Sequence, residues 1–166
     1  MNTIEIENAA YGDPFASKIF GGVFPLDMLP EQLKSGMCYV VNTDPKNLPG
    51  EHWLLISCME STVSHYFDSF GRPPTHVNII RSMLSQSEKI LYMDVSIQSE
   101  ITSTCAYHCL FILFLLGRGY RMLDIILRFY DFENYIKNDV MVTEVISSLS
   151  HQEARPLINW DYLLPS

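Results

Sequence analysis

No run of apolar residues in this chain approaches the ~20 positions that a membrane-spanning helix needs. The most apolar stretch, Cys109 to Leu116, is followed at once by Gly117, so no membrane association is expected. Basic residues are scarce: 11 Lys and Arg against 19 Asp and Glu leave a formal net charge of −8. A chain of that sign is repelled by phosphate backbones, which disfavours general nucleic-acid binding. Cysteine is sparse as well. Cys38, Cys58, Cys105 and Cys109 fit no disulfide framework of the small secreted kind and include no CxxC pair. The opening MNTIEIENAAYGDP has no basic region ahead of an apolar run, so no secretory leader is expected. Internal repeats and low-complexity segments are absent. These absences leave an intracellular, water-soluble protein with reduced thiols as the expectation.

What is present suits one globular domain spanning residues 1–166, with 48% hydrophobic and 18% charged residues, enough to build a single core. The first 35 residues mix short helical patterns with turn signals at Gly12-Asp13-Pro14, Gly21-Gly22 and Pro30. Met37 to Asn42, His52 to Cys58 and Thr62 to Asp68 read as three strands. Their hairpin-like spacing makes them antiparallel neighbours. Asn78 to Leu84 has apolar residues at helical spacing, with Thr75 as its expected cap. Ile90 to Val95 reads as a further strand. A helix is expected from near Thr104 to about Leu116, stopped by Gly117 and Gly119, with Ser and Thr in the preceding loop favouring its start. Two more helices follow, Tyr120 to Phe129 and roughly Asn138 to Leu149. Strands first and helices after define an α+β class.

Four residues could carry chemistry. Cys105 lies at the expected N-terminus of the longest apolar helix, where free N–H groups and the helix dipole favour a thiolate. His52 opens a strand directly after a turn, a place from which a histidine can act as a base. Asp68 ends a strand before a Gly/Pro loop and could orient that histidine. Gln98, in the polar loop ahead of Cys105, could donate an amide N–H to an oxyanion. Taken singly, each has a plainer reading: a buried inert thiol, a surface histidine, a turn aspartate, a solvated loop amide. Together they supply a nucleophile, a base, an orienting acid and an oxyanion donor at element ends, where catalytic residues collect. Cys109, one helical turn beyond Cys105, reads as structural.

The segments FGGVFP (Phe20 to Pro25), YVVNTDP (Tyr39 to Pro45), PGEHW (Pro49 to Trp53), YFDSFGRPP (Tyr66 to Pro74) and IQSEITSTCAYHC (Ile97 to Cys109) resemble the adenovirus-type (adenain-like) cysteine proteases. The likeness is strongest to those encoded by Polinton/Maverick elements, virophages and adintoviruses, and extends distantly to SUMO-specific proteases. It covers about residues 18 to 120. It implies an α+β fold with a central, mostly antiparallel sheet packed by helices, and a papain-like active site reached in the adenovirus-protease chain order. Residue by residue it implies His52 as base, Asp68 as its orienting acid, Cys105 as nucleophile and Gln98 as oxyanion donor, with the backbone N–H of Cys105 as second donor and Trp53 as packing beside the histidine. Ala106 stands where the family usually has glycine, and Ala is a good helix former. Ser87 stands where the adenovirus enzyme has the cysteine that links its activating peptide, so no disulfide-linked activator is expected. The charge of −8 makes DNA activation unexpected, and no cofactor or metal is implied. Residues 19–23 also resemble the Gly-containing sites such proteases cleave, but they lie where the family has a structural turn.

The resemblance implies a thiol endopeptidase that matures viral or element-encoded capsid or core precursors. Such an enzyme is expected in the host cytoplasm or nucleus, with packaging in the virion. An isopeptidase of a ubiquitin-like modifier shares the same chemistry. A non-catalytic module on the same scaffold would not need all four residues. A metal site of Cys105, His108 and Cys109 shares one helical face but lacks a fourth ligand.

Overall fold

The computed structural model describes residues 1–150; residues 151–166 of the expected single domain lie outside the described residues. Five strands, β1 (Phe20–Pro25), β2 (Cys38–Asn42), β3 (Trp53–Ser57), β4 (Val63–Phe67) and β5 (Lys89–Tyr92), form one sheet in that spatial order. Five helices accompany them: α1 (Thr3–Gly12), α2 (Val77–Leu84), α3 (Cys105–Gly117), α4 (Met122–Phe129) and α5 (Tyr135–Ser150). The class is α+β. Among the described residues no helix is long and apolar enough to cross a membrane.

The central strands β2 and β3 read as nearly continuous apolar runs because both of their faces are covered, whereas the edge strand β5 is largely exposed. Side chains alternate across a strand. Cys38, Val40, Leu55 and Phe67 therefore share one core with α1, α3, α4 and α5. Tyr39, Val41, Leu54, Ile56 and Tyr66 share the other with Leu29, Leu33 and, from α2, Ile79 and Met83. Helix α3 lies against β3 with α1, α4 and α5 around it. From Cys105 to Leu116 every residue but Tyr107 is buried. That burial explains why α3 shows no polar stripe in sequence, and each fully buried Leu, Ile or Phe there contributes ~1.5–3 kcal/mol.

The sheet corrects one expectation. It is mixed, not mostly antiparallel: β2–β3 and β3–β4 are antiparallel, as the spacing suggested, but β1–β2 and β4–β5 are parallel. Parallel neighbours need a crossover rather than a hairpin. Helix α2 supplies it between β4 and β5, and residues 26–37, opening with a 3-10 turn at Leu26–Met28, supply it between β1 and β2. The segment FGGVFP is likewise not a turn but strand β1, buried at Phe20, Gly22 and Val23. Its glycines serve the sheet. A side chain at Gly21 would collide with the ring of Tyr39, and Gly22, at φ 125°, sits where the β1–β2 register shifts by a bulge. Helix α2 starts after His76, with no side-chain cap from Thr75.

One turn bears directly on the site. After β4 the chain reverses through Asp68-Ser69-Phe70-Gly71, closed by Gly71 N–H donating to the Asp68 carbonyl at 2.9 Å. Gly71 has φ 69°, and a Cβ there would lie 2.5 Å from the carbonyl carbon of Val95. Left-handed backbone and collision with main chain both oppose any side chain. Gly71→Ala is expected to cost about 2 kcal/mol or more, which at this chain length lowers Tm by roughly 4–8 °C. Thermal denaturation checks it; a Tm within about 1 °C of wild type would mean that the turn and the 95–96 segment separate freely.

Candidate active site

Strand register brings the first two residues together. Leu55 pairs with Phe67 and Ser57 with His65, so continuing the antiparallel pairing past the ladder sets residue 52 beside residue 70. The His52 and Phe70 rings do meet, with centroids 5.1 Å apart and planes tilted by 33°. From just before β3, His52 Nε2 reaches Asp68 Oδ1, just after β4, at 2.7 Å. The same carboxylate oxygen accepts the Phe70 N–H at 2.9 Å, which holds the carboxylate in place beside the imidazole. His52 is 9% exposed and so not the surface histidine that a single-position reading favoured; Asp68, 4% exposed, does open a turn, as its plainer reading had it, and holds the imidazole as well. Phe70 lies against the imidazole, and Arg72 lies over the Phe70 ring, 4.9 Å from its centroid. Excluding water in this way strengthens the pair's electrostatics.

Cys105 opens α3, packed against β3, and the His52 imidazole is the first of the influences that lower its thiol. With Nε2 held by Asp68, Nδ1 is the ring nitrogen left to meet the sulfur. Burial pushes the Cys105 thiol up, but the His52 hydrogen bond, the Trp53 backbone N–H, the imidazolium charge and the Ala106 backbone N–H outweigh it, and the net direction is down. The other three thiols go the other way, all with burial as the first cause: Cys38 is pushed up to about 12, Cys58 is raised, and Cys109 is held well above its ordinary value. Cys105 is thus the cysteine poised as a thiolate. Trp53 does more than pack, since its backbone N–H is among the groups that favour the thiolate.

Gln98 is not a solvated loop side chain; it is 1% exposed. Ser69, fully buried, donates its hydroxyl to Gln98 Oε1 at 2.6 Å, and Gln98 Nε2 donates to the Thr102 carbonyl at 3.0 Å. With the carbonyl end committed to Ser69, the amide nitrogen has one fixed direction and a second N–H to offer. The backbone reinforces this: Ile97 and Gln98 N–H both donate to the Ser69 carbonyl, at 2.9 and 3.1 Å. The Cys105 N–H stands in the first turn of α3, where backbone donors have no intrahelical acceptor.

Reading residues singly missed Ser69, Phe70 and the Trp53 N–H. Ser69 and Phe70 lie inside the segment YFDSFGRPP, and their adjacency to Asp68 was the available signal. His108 is turned away from Cys105, toward Asp139 Oδ1 at 2.8 Å and Tyr130 Oη at 3.1 Å. Both its ring nitrogens are thereby engaged, which removes it from the metal-site alternative. Among the described residues no group of three His, Cys, Asp or Glu could hold a metal ion.

The ion pair sets a pH window. Burial lowers His52, but the Asp68 hydrogen bond and then the Cys105 hydrogen bond raise it from 6.5 to about 9. A raised base contributes fully below its ordinary 6.5 and is lost as pH climbs through about 9. The Cys105 thiol is lowered from 9.0, so its thiolate contribution is complete above 9.0 and is lost as pH falls through the lowered value. Both groups are charged between those limits. We expect a bell-shaped kcat/KM with its alkaline limb near pH 9. Asp68→Asn should move that limb to lower pH, because it removes the largest contribution raising His52. An unmoved limb in the variant would assign it to another group.

An α+β fold that presents a lowered thiol, a buried imidazole and an orienting carboxylate has the constellation of a thiol hydrolase. No family model and no curated protein matches the chain. Among solved structures it is similar to the crystal structure of the selenomethionine ASFV pS273R protease, at 19% identity and a TM-score of 0.41. That match covers 70% of this chain and 45% of the other, so the chain spans less than half the length of that protease. The functional reading therefore rests on the geometry of the site.

Proposed function

We propose that the chain is a cysteine protease. The observation that carries this reading is the convergence of His52, Asp68 and Cys105, which share no segment of sequence, with a thiol lowered despite its burial. The Cys105 thiolate attacks the scissile carbonyl carbon, and the carbonyl oxygen becomes an oxyanion facing the free Gln98 amide N–H and the Cys105 backbone N–H. The His52 imidazolium gives its proton to the leaving nitrogen as the C–N bond breaks, leaving a thioester and neutral imidazole. His52 then takes a proton from water as it attacks, and collapse of the second tetrahedral intermediate releases the acid and restores the thiolate. Asp68 holds the ring and stabilises its charge throughout.

In its finer form the proposal is an endopeptidase that cuts capsid or core precursors at Gly-containing sites, supported by the segments from Phe20 to Cys109 that resemble the adenovirus-type enzymes. It would act inside a host cell on protein substrates. Purified protein is to be offered peptides spanning Gly-containing sites of candidate precursors, beside ubiquitin-like conjugate probes. Hydrolysis of the first set supports the endopeptidase, and reaction with the second alone supports an isopeptidase. Hydrolysis of neither, with Cys105 labelled by iodoacetamide no faster than Cys58, would remove the protease reading altogether.

A further inference from the structure

A second buried polar cluster lies behind the site, centred on Asp139 of α5. Its carboxylate is 3% exposed and takes four hydrogen bonds. Oδ2 accepts the Ser99 N–H at 3.1 Å and the Thr102 hydroxyl at 2.8 Å; Oδ1 accepts the Thr104 hydroxyl at 2.8 Å and His108 Nε2–H at 2.8 Å. Burial lowers His108, leaving a neutral ring that gives Nε2–H to Asp139 and accepts the Tyr130 hydroxyl at Nδ1, 3.1 Å away. The neighbouring Asn138 donates to the Ile97 carbonyl at 2.9 Å. Three of the four donors to Asp139 belong to the loop between Gln98 and Cys105. Within that loop the Thr102 carbonyl anchors the Gln98 amide, and Thr104 immediately precedes the nucleophile. Thr104 is the N-cap of α3 by position, but its hydroxyl makes no capping bond to the helix and turns to Asp139 instead.

We propose that Asp139 is a positioning residue that clamps the Ser99–Thr104 loop and so sets the placement of the Gln98 amide relative to the Cys105 sulfur. The proposal rests on the protease reading of that site. One ionised carboxylate is the chemistry required: two oxygens take four converging donors, an arrangement that neither Asn nor a water can reproduce. A purely structural Asp139 would also leave buried donors unmet when replaced, so the test must separate placement from stability. A shift of about 1 Å in a group remote from the reacting atoms can cost ~10²-fold in rate.

Asp139→Asn, Thr104→Val and Thr104→Ser are to be compared in the full chain with Asp13→Asn, which breaks the Asp13–Arg118 ion pair (2.7 Å) between the α1 end and the α3 end. Measurements are Tm, kcat and KM on one peptide well below every Tm, and the rate of Cys105 alkylation by iodoacetamide. Asp139→Asn should lower kcat about 10²-fold with KM changed less than about threefold. Thr104→Val should lower kcat roughly tenfold, and Thr104→Ser should restore it to within about threefold, since only the hydroxyl matters. Asp13→Asn should lower Tm yet keep kcat. The proposal is overturned if Thr104→Ser is as impaired as Thr104→Val, or if kcat in Asp139→Asn follows only its folded fraction. If wild type turns over no peptide, the protease reading fails by itself and amide hydrogen exchange decides the clamp: faster exchange in Asp139→Asn confined to residues 98–105 supports it, unchanged exchange there rejects it. If Asp139→Asn does not fold, the contrast between Thr104→Val and Thr104→Ser decides the clamp.

Discussion

His52→Ala lowers kcat/KM by about 10⁴-fold or more, while Asp68→Asn costs only roughly 10–10²-fold. The histidine is the charge partner of the thiolate and the donor to the leaving nitrogen, so both chemical steps stop without it. The aspartate acts through one hydrogen bond of 2.7 Å. In the variant, Asn Oδ1 can still accept that proton, and what is lost is the charge. A hydrogen bond to a charged group is worth about 1.5–3 kcal/mol, which converts to the 10–10²-fold range. The thiolate also keeps the Trp53 and Ala106 N–H groups, which owe nothing to Asp68. Single-turnover hydrolysis of one peptide by both variants, with folding checked by circular dichroism, tests the order. A greater loss in Asp68→Asn than in His52→Ala would reverse the roles assigned here.

Gln98→Ala lowers kcat by about 10²–10³-fold, equivalent to roughly 3–4 kcal/mol, with KM little changed. The amide meets a charge that exists in the tetrahedral intermediate and its flanking transition states, not in the bound substrate. Alkylation of Cys105 by iodoacetamide passes through no oxyanion and should keep its wild-type rate. Ser69→Ala should show a weaker version of the same pattern, roughly tenfold, because the amide loses the 2.6 Å bond that holds its carbonyl end. Steady-state kinetics beside alkylation rates separate these effects from a general disturbance of the thiol. Normal kcat in folded Gln98→Ala would take Gln98 out of the site.

Where sequence foresaw the structure, the signal was local and periodic. Strands β2, β3 and β4 and helix α3 fall within a residue or two of expectation, because apolar runs bounded by turn residues leave few alternatives. Their antiparallel order followed from short connections. The strand at β5 was foreseen but its parallel pairing was not: such pairing depends on a crossover, and the sequence marks the helix between β4 and β5 without stating which side the next strand joins. Gly21-Gly22 read as a turn because glycine signals permissive backbone, while its use here is a bulge and an aromatic neighbour from β2. The start of α1 did carry a usable sign, the Asn2/Glu5 capping box, with Glu5 N–H on Asn2 Oδ1 at 3.0 Å. For the site, the types and order of His52, Asp68, Gln98 and Cys105 were legible. Ser69, Phe70 and Asp139 were not, because their roles consist of whom they touch far along the chain: Ser69 reaches 29 positions to Gln98, Asp139 reaches 40 to Ser99, and Phe70 meets His52 across two strands. No spacing rule reaches that far.

The lowered thiol of Cys105 has a consequence for the life of the chain before it folds. Its chief activating partners, His52 and the Trp53 N–H, lie more than fifty residues earlier, and a polypeptide without tertiary contacts offers the sulfur neither. A nascent or denatured copy therefore carries four ordinary thiols and cannot cut its neighbours on the ribosome. Nucleophilicity switches on with the docking of α3 against β3, so the rate at which iodoacetamide finds Cys105 becomes a clock for that long-range event.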